Sequence, residues 1–204
     1  LKPAADWRLI GTSRPRLDLP AKVRGAPIFG ADVVLPDMLH ASIRQAPVFG
    51  SGVVRVVNVP EILRQPDVVD VVVVDGRSVA VIARSWWRAE QAARLLDVEW
   101  TRTEADAVSS PGLSERMRAL LDAGDPHEHL ADGPGFPEDS PAVLESLYEA
   151  PLVAHACMEP MNATVLVRSD GTAEGWVPAQ SPVATRWGIS RGAARAGVDL
   201  SSVT

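Results

Sequence analysis

The sequence predicts an α+β protein, on three observations. Two β-branched runs fold back at Asp-Gly pairs, Asp75-Gly76 and Asp170-Gly171, and each reads as a β-hairpin. Two stretches with apolar residues at helical spacing open at a serine N-cap, Ser85 and Ser181. The chain has 204 residues, 46% hydrophobic and 23% charged, enough to bury a core without disulfides or metals.

Residues 28–34 and 39–43 read as short strands joined by a turn at Pro36-Asp37, and 60–64 as one or two helical turns that Pro66 stops. From Val68 to Val74 every position but Asp70 is valine, and 79–83 is again apolar. Asp75-Gly76 between them supplies the positive φ angles of a type I′ turn. A hairpin apolar on both faces is expected at the centre of the first domain, covered on both sides. Ser85 then caps a helix whose stripe of Trp86, Ala89, Ala92, Ala93 and Leu96 should lie on that hairpin. Val98 and Trp100 alternate with charged residues as a further strand.

Residues 104–141 change character. Acidic residues accumulate, Gly-Asp-Pro and Gly-Pro-Gly interrupt, and the stretch reads as a linker holding one amphipathic helix, 113–123, closed by Gly124. Beyond it, 143–148 alternates apolar and polar residues, and 162–168 pairs with 172–176 through Asp170-Gly171. The last helix has Ser181 as N-cap, Pro182 at N1 and Gly197 at C′. The expected division is 16–103, 104–141 and 142–204.

A net charge of −6 argues against general affinity for nucleic acid or anionic lipid, and all basic residues but Lys2 and Lys22 are arginine without forming a run. Candidate membrane-spanning stretches are broken by Asp70, Arg77 and Arg84. The single cysteine, Cys157, forbids an intrachain disulfide. Phosphate-binding glycine patterns are absent. His127-Glu128-His129 offers two imidazoles, but lies in an acidic loop without further ligands at a usual spacing, and reads as solvated rather than metal-binding. Cys157, two residues from both His155 and Glu159, reads as a buried small hydrophobe rather than a nucleophile. Residue by residue, no self-contained catalytic constellation emerges. The termini, with neither an initiator methionine nor a signal-peptide pattern, read as those of a piece of a longer chain.

Several phrases in order carry a family resemblance. They are Trp7-Arg8-Leu9-Ile10-Gly11, Arg16-Leu17-Asp18, Lys22-Val23-Arg24-Gly25, Phe29-Gly30, Leu35-Pro36-Asp37-Met38-Leu39-His40-Ala41 and Pro47-Val48-Phe49-Gly50. The more specific signal is the run from His155 through Cys157-Met158-Glu159-Pro160-Met161-Asn162 to Thr164, followed by Trp176-Val177-Pro178-Ala179-Gln180-Ser181-Pro182. Together they resemble the large, molybdenum-binding subunit of the xanthine dehydrogenase and aldehyde oxidase family, most of all the isoquinoline 1-oxidoreductase β-subunit type.

The resemblance implies an α/β-hammerhead domain over 16–103 followed by the first part of a molybdopterin-binding α+β domain over 142–204. It implies a bacterial oxidoreductase that hydroxylates an aldehyde or N-heterocycle with water as oxygen source. The full-length protein would carry molybdopterin in its cytosine dinucleotide form, with an iron-sulfur small subunit as partner. By resemblance Gln180 hydrogen-bonds an oxo ligand or the pterin side of the molybdenum centre, as an amide can without adding charge. His155, Glu159 and Asn162 would build or brace the wall beside it. The family's GGGFG loop and catalytic glutamate have no counterpart in these 204 residues, so neither a catalytic residue nor a metal ligand is expected here, and the piece alone should be inactive and bind no cofactor. The alternative expectation is a non-catalytic hammerhead module serving as scaffold. The compartment, bacterial cytoplasm or periplasm, is left open.

Overall fold

The computed structural model describes residues 2–124, 141, 144 and 146–204. In chain order the elements are α1 (Leu19–Lys22), β1 (His40–Gln45), β2 (Val53–Val56), α2 (Val59–Ile62), β3 (Val68–Val74), β4 (Ser78–Ala83), α3 (Trp86–Arg94), β5 (Val98–Trp100), α4 (Ser110–Asp122), β6 (Thr164–Val167), β7 (Thr172–Trp176), α5 (Pro182–Arg195) and β8 (Ser202–Val203). They fall into two compact units, Leu1–Pro36 with Ala156–Thr204, and Asp37–His155. These units are drawn differently from the 16–103 and 142–204 division, since residues 16–36 lie with the C-terminal ones.

In the unit Asp37–His155, the hairpin β3–β4 turns on Asp75 (φ 55°) and Gly76 (φ 65°), the left-handed pair its sequence demands. β4 is the central strand of an antiparallel sheet ordered β1-β4-β3. Register sets Ile43 opposite Ala80 and Val72 opposite the same residue, with a bulge between Val68 and Asp70. Val79, Val81 and Ala83 are fully buried, whereas Val72 and Val73 on β3 remain 38% and 48% exposed. The expected two-sided cover therefore holds for β4 and fails for β3. The latter is an edge strand, and Val72 and Val73, which face opposite sides of the sheet across from the buried Ala80 and Val79, both stay partly exposed.

α3 begins as expected, with the Ser85 Oγ accepting from the Arg88 N–H at 3.3 Å. Its buried stripe is Ala89, Ala92 and Ala93, and these small side chains let the helix approach the sheet closely. Trp86 departs from the expected stripe: its indole is more than half exposed, so the buried face starts one turn later, at Ala89. The core comprises Ile62, Val81, Ala92 and Ala93, flanked by Val68, Val71 and Leu96. Asn58 sets Ile62 in place. Its Nδ2 donates to the Leu95 carbonyl at 2.8 Å and its Oδ1 accepts from the Asp97 N–H at 2.9 Å, tying the start of α2 to the end of α3.

β5 forms where expected, but its partner β2 is not among the expected strands. The ribbon is held by Arg55 and Glu99, paired through two bonds of 2.8 and 2.6 Å, and joined to the hairpin turn by the Val53 N–H donating to the Gly76 carbonyl at 2.7 Å. α4 starts three residues before the expected 113, because Ser109 accepts from the Gly112 N–H and Pro111 fits the first turn. Gly124 (φ 67°) ends it. The expected strand over 143–148 is not seen at 144 or 146–148. Arg118 on α4 pairs instead with Glu149, and residues 147–152 border a groove of about 450 Å³ along the helix. His127, Glu128, His129 and the rest of linker residues 125–140 lie outside the described residues.

Ser42, on β1, is buried and its Oγ donates to Glu90 Oε2 at 2.7 Å; Arg94 donates to the other oxygen at 2.8 Å. The Ser42 bond first, then Arg94, holds the Glu90 carboxyl below its ordinary value of 4.5. A folded-state value lowered in this way contributes stability that is complete above 4.5 and lost as the pH falls through the lowered folded value. Ser42→Ala is expected to raise the Glu90 titration point toward that ordinary value and to cost about 1 kcal/mol at neutral pH. Carboxyl titration by NMR with urea unfolding at pH 7 and pH 4 checks it.

In the other unit, β6 and β7 form the second expected hairpin, with Asp170 accepting from both the backbone and the hydroxyl of Thr172. β8, also outside the expected strands, adds in parallel to β7 through the Ser201 N–H to Gly171 carbonyl bond at 2.8 Å. α5 follows its expected limits, from the Ser181 cap to Gly197 at φ 75°. It lies on β7 by virtue of Gly175, where a Cβ would collide with Ile189 Cδ1. Residues 28–34, expected as a strand, form a 3-10 turn at Gly30–Asp32 instead. The Asp32 carboxylate takes the Phe29 N–H at 2.9 Å, a donor that a strand would have used in pairing. Near α1, Lys22 and Arg16 hold the exposed Asp18 carboxyl down to about 2.

Candidate functional site

The residues singled out from the sequence divide between the units. His155 is exposed and ends the unit Asp37–His155, whereas Glu159, Asn162 and Gln180 belong to the other. Cys157 is exposed, contrary to the burial expected of it, and lies in a stretch outside every helix and strand of the described residues.

Gln180 stands exposed immediately before the Ser181 cap of α5, at the mouth of a 14-residue helix. The Ser181 Oγ accepts from the Ala184 N–H at 3.3 Å, which fixes the start of the helix directly after Gln180. No acidic residue occupies the first turn of α5, so the positive end of the helix dipole is uncompensated there. A hollow of about 200 Å³ opens between this end of α5 and β7, lined by Val177, Ala179, Pro182, Thr185, Arg186 and Ile189. The two neighbours of the Gln180–Ser181 pair, Ala179 and Pro182, thus form part of its wall, and Arg186 supplies a cation.

Glu159 and Asn162 do not meet Gln180 directly in any hydrogen bond; both converge on the Gly30 turn. Glu159 Oε1 accepts from the Gly30 N–H at 3.2 Å. Asn162 donates from Nδ2 to the Pro160 carbonyl at 2.8 Å, and its Oδ1 is buried against Gly30. Gly30 and Pro178 are the site residues that sequence reasoning missed. Phe29-Gly30 stood only as a family phrase, and the one signal was a glycine without turn chemistry around it.

No family model matches the chain. It is 30% identical over 184 residues to the membrane-bound aldehyde dehydrogenase (pyrroloquinoline-quinone) of Gluconacetobacter polyoxogenes, covering 85% of this chain and 24% of that protein. It is 30% identical over 195 residues to the β-subunit of isoquinoline 1-oxidoreductase from Brevundimonas diminuta, covering 89% and 24%. A third similarity, to a nicotinate dehydrogenase subunit of Pseudomonas putida, reaches 32% over 60% of this chain and 10% of that one. The chain spans about a quarter of the length of the first two relatives. Among solved structures, Cu,Mo-CO dehydrogenase matches with a TM-score of 0.39 at 15% identity, over 46% of this chain and 15% of that one. Quinoline 2-oxidoreductase from Pseudomonas putida 86 matches with a TM-score of 0.38 at 24% identity, over 46% and 16%.

Proposed function

Because this chain is a homologue, over nearly its whole length, of a segment of the large subunits of the xanthine dehydrogenase and aldehyde oxidase family, we propose that it forms one wall of a molybdopterin site in an oxidoreductase acting on an aldehyde or N-heterocycle. The observation that carries the reading is Gln180, an exposed neutral amide at the N-terminus of α5 beside a hollow edged by Arg186.

The residues present fit such a group as one wall. An anionic, oxygen-rich cofactor is favoured where a helix presents its N-terminus and a donor amide without a competing carboxylate. At about 200 Å³ the hollow is below the size of a complete small-molecule site, so the remaining walls come from elsewhere in the protein. When bound, molybdopterin carries the metal that accepts electrons from the substrate carbon. This chain's part is to orient: Gln180 Nε2 donates to the group, Ser181 and the first turn of α5 hold that amide in place, and Arg186 contributes positive charge. The cytosine dinucleotide form, the iron-sulfur partner and the hammerhead description of 16–103 complete the proposal. The support for the first two is the resemblance of the 155–164 and 176–182 phrases, and for the hammerhead description that of the phrases between Trp7 and Gly50. No helix among the described residues is long and apolar enough to cross a membrane.

A second reading is favoured by one name: the Gluconacetobacter relative is called a pyrroloquinoline-quinone enzyme. Cofactor analysis of the intact enzyme separates the two. Molybdenum together with an extractable pterin is expected, and a quinone without molybdenum would replace the proposal with the second reading.

A further inference from the structure

Three side chains, all more than a hundred positions further along the sequence, close around one glycine. The Gly30 N–H donates to Glu159 Oε1 at 3.2 Å, across 129 positions. A Cβ on Gly30 would collide with Asn162 Oδ1 and stand 3.2 Å from Pro178 Cδ. The φ of Gly30 is not in the left-handed region, so this glycine answers to close approach and not to backbone shape. Asn162 Oδ1 is buried without a hydrogen-bond partner. Its orientation is dictated by Nδ2, which donates to the Pro160 carbonyl at 2.8 Å and so turns the carbonyl oxygen into the slot that the glycine leaves. A buried acceptor left unpaired persists where the surrounding contacts over-determine its place.

Pro178 is the far side of this slot and stands two residues before Gln180. The geometry points to Glu159 as a positioning residue. Its carboxylate latches the Gly30 turn between Asn162 and Pro178, and the latched turn buttresses the 178–180 segment so that Gln180 is presented in one place. The last link rests on the molybdopterin-site reading of Gln180; the latch itself does not.

The test compares Glu159→Ala, Glu159→Gln, Gly30→Ala and Gln180→Ala in the intact enzyme, by amide hydrogen exchange over residues 28–34, turnover, KM and molybdenum content. Glu159→Ala is expected to speed exchange of the Gly30 amide about tenfold or more, as a locally opened turn does. It should lower turnover about tenfold with KM little changed and molybdenum retained, the effect of a displaced orienting group. Glu159→Gln keeps an Oε1 acceptor for the Gly30 N–H and should restore both readouts. Gly30→Ala keeps Glu159 but forces a Cβ onto Asn162 Oδ1, and should reproduce the Glu159→Ala phenotype even if Glu159→Ala does not fold. Unchanged exchange in Glu159→Ala would overturn the latch. Faster exchange with unchanged turnover, while Gln180→Ala does lower turnover, would overturn the positioning link. If Gln180→Ala left turnover intact, the site reading would fall with that link, and the exchange result would still decide the latch.

Discussion

Ile62→Ala is expected to destabilise the Asp37–His155 unit by about 2–5 kcal/mol, the range for truncating a fully buried aliphatic side chain. Ile62 is 1% exposed, on a helix of a single turn, and it closes a core whose other buried members, Val81, Ala92 and Ala93, are small. Two alanines and a valine have few atoms with which to fill the vacated volume. The strands beneath cannot close on it, since Val81 is fixed in register between Ser42 on β1 and Val71 on β3. Nor can α2 sink freely, because Asn58 anchors its start to the end of α3 by bonds of 2.8 and 2.9 Å. The loss should therefore fall toward the upper part of the range, while Ile62→Val should cost only about 0.5–1.5 kcal/mol. Urea unfolding followed by far-UV circular dichroism reads both. A cost below about 1 kcal/mol for the alanine variant would show that Ile62 is not central to this core.

What the sequence made legible was local. Asp75-Gly76 and Asp170-Gly171 each demand a turn that only a few residue pairs satisfy, and both hairpins formed there. Ser85 and Ser181 each cap the helix that follows, with the bond made inside a span of three residues. Features set by long-range contact were not legible. That β3 is an edge strand depends on which strand pairs beyond β4, and a valine run reads the same whether it is covered or not. The strands β2 and β8 are short, and each exists because a distant partner lies beside it. Residues 28–34 have strand-like composition, but the Asp32 carboxylate and the slot between Asn162 and Pro178 hold them as a turn.

The candidate site was legible to a different extent for each residue. Gln180 stood out only through the family phrase around it; as a lone residue before a helix it carries no chemical signature. Glu159 and Asn162 were expected beside the site, and nothing in their spacing pointed to Gly30, more than a hundred positions earlier. The exposure of Cys157 was not legible because a thiol's burial depends on the elements packed over it, and among the described residues 153–158 are exposed and belong to no helix or strand.

Replacing Gln180 bears most directly on the proposal that this chain helps to hold a redox cofactor. An amide that donates to an oxygen-rich group contributes orientation and charge stabilisation without a proton of its own, and loss of such an outer partner in metal sites typically costs about 10–100-fold in activity or metal affinity. The side chain is exposed, so truncation leaves no cavity in the fold and should leave unfolding of the unit unchanged. Ser181 and the first turn of α5 would remain in place, so the effect isolates the amide. The decisive measurement is turnover per bound molybdenum in the intact enzyme carrying Gln180→Ala. A fall of about 10–100-fold at wild-type stability is the predicted result, and turnover per molybdenum equal to wild type would contradict the account.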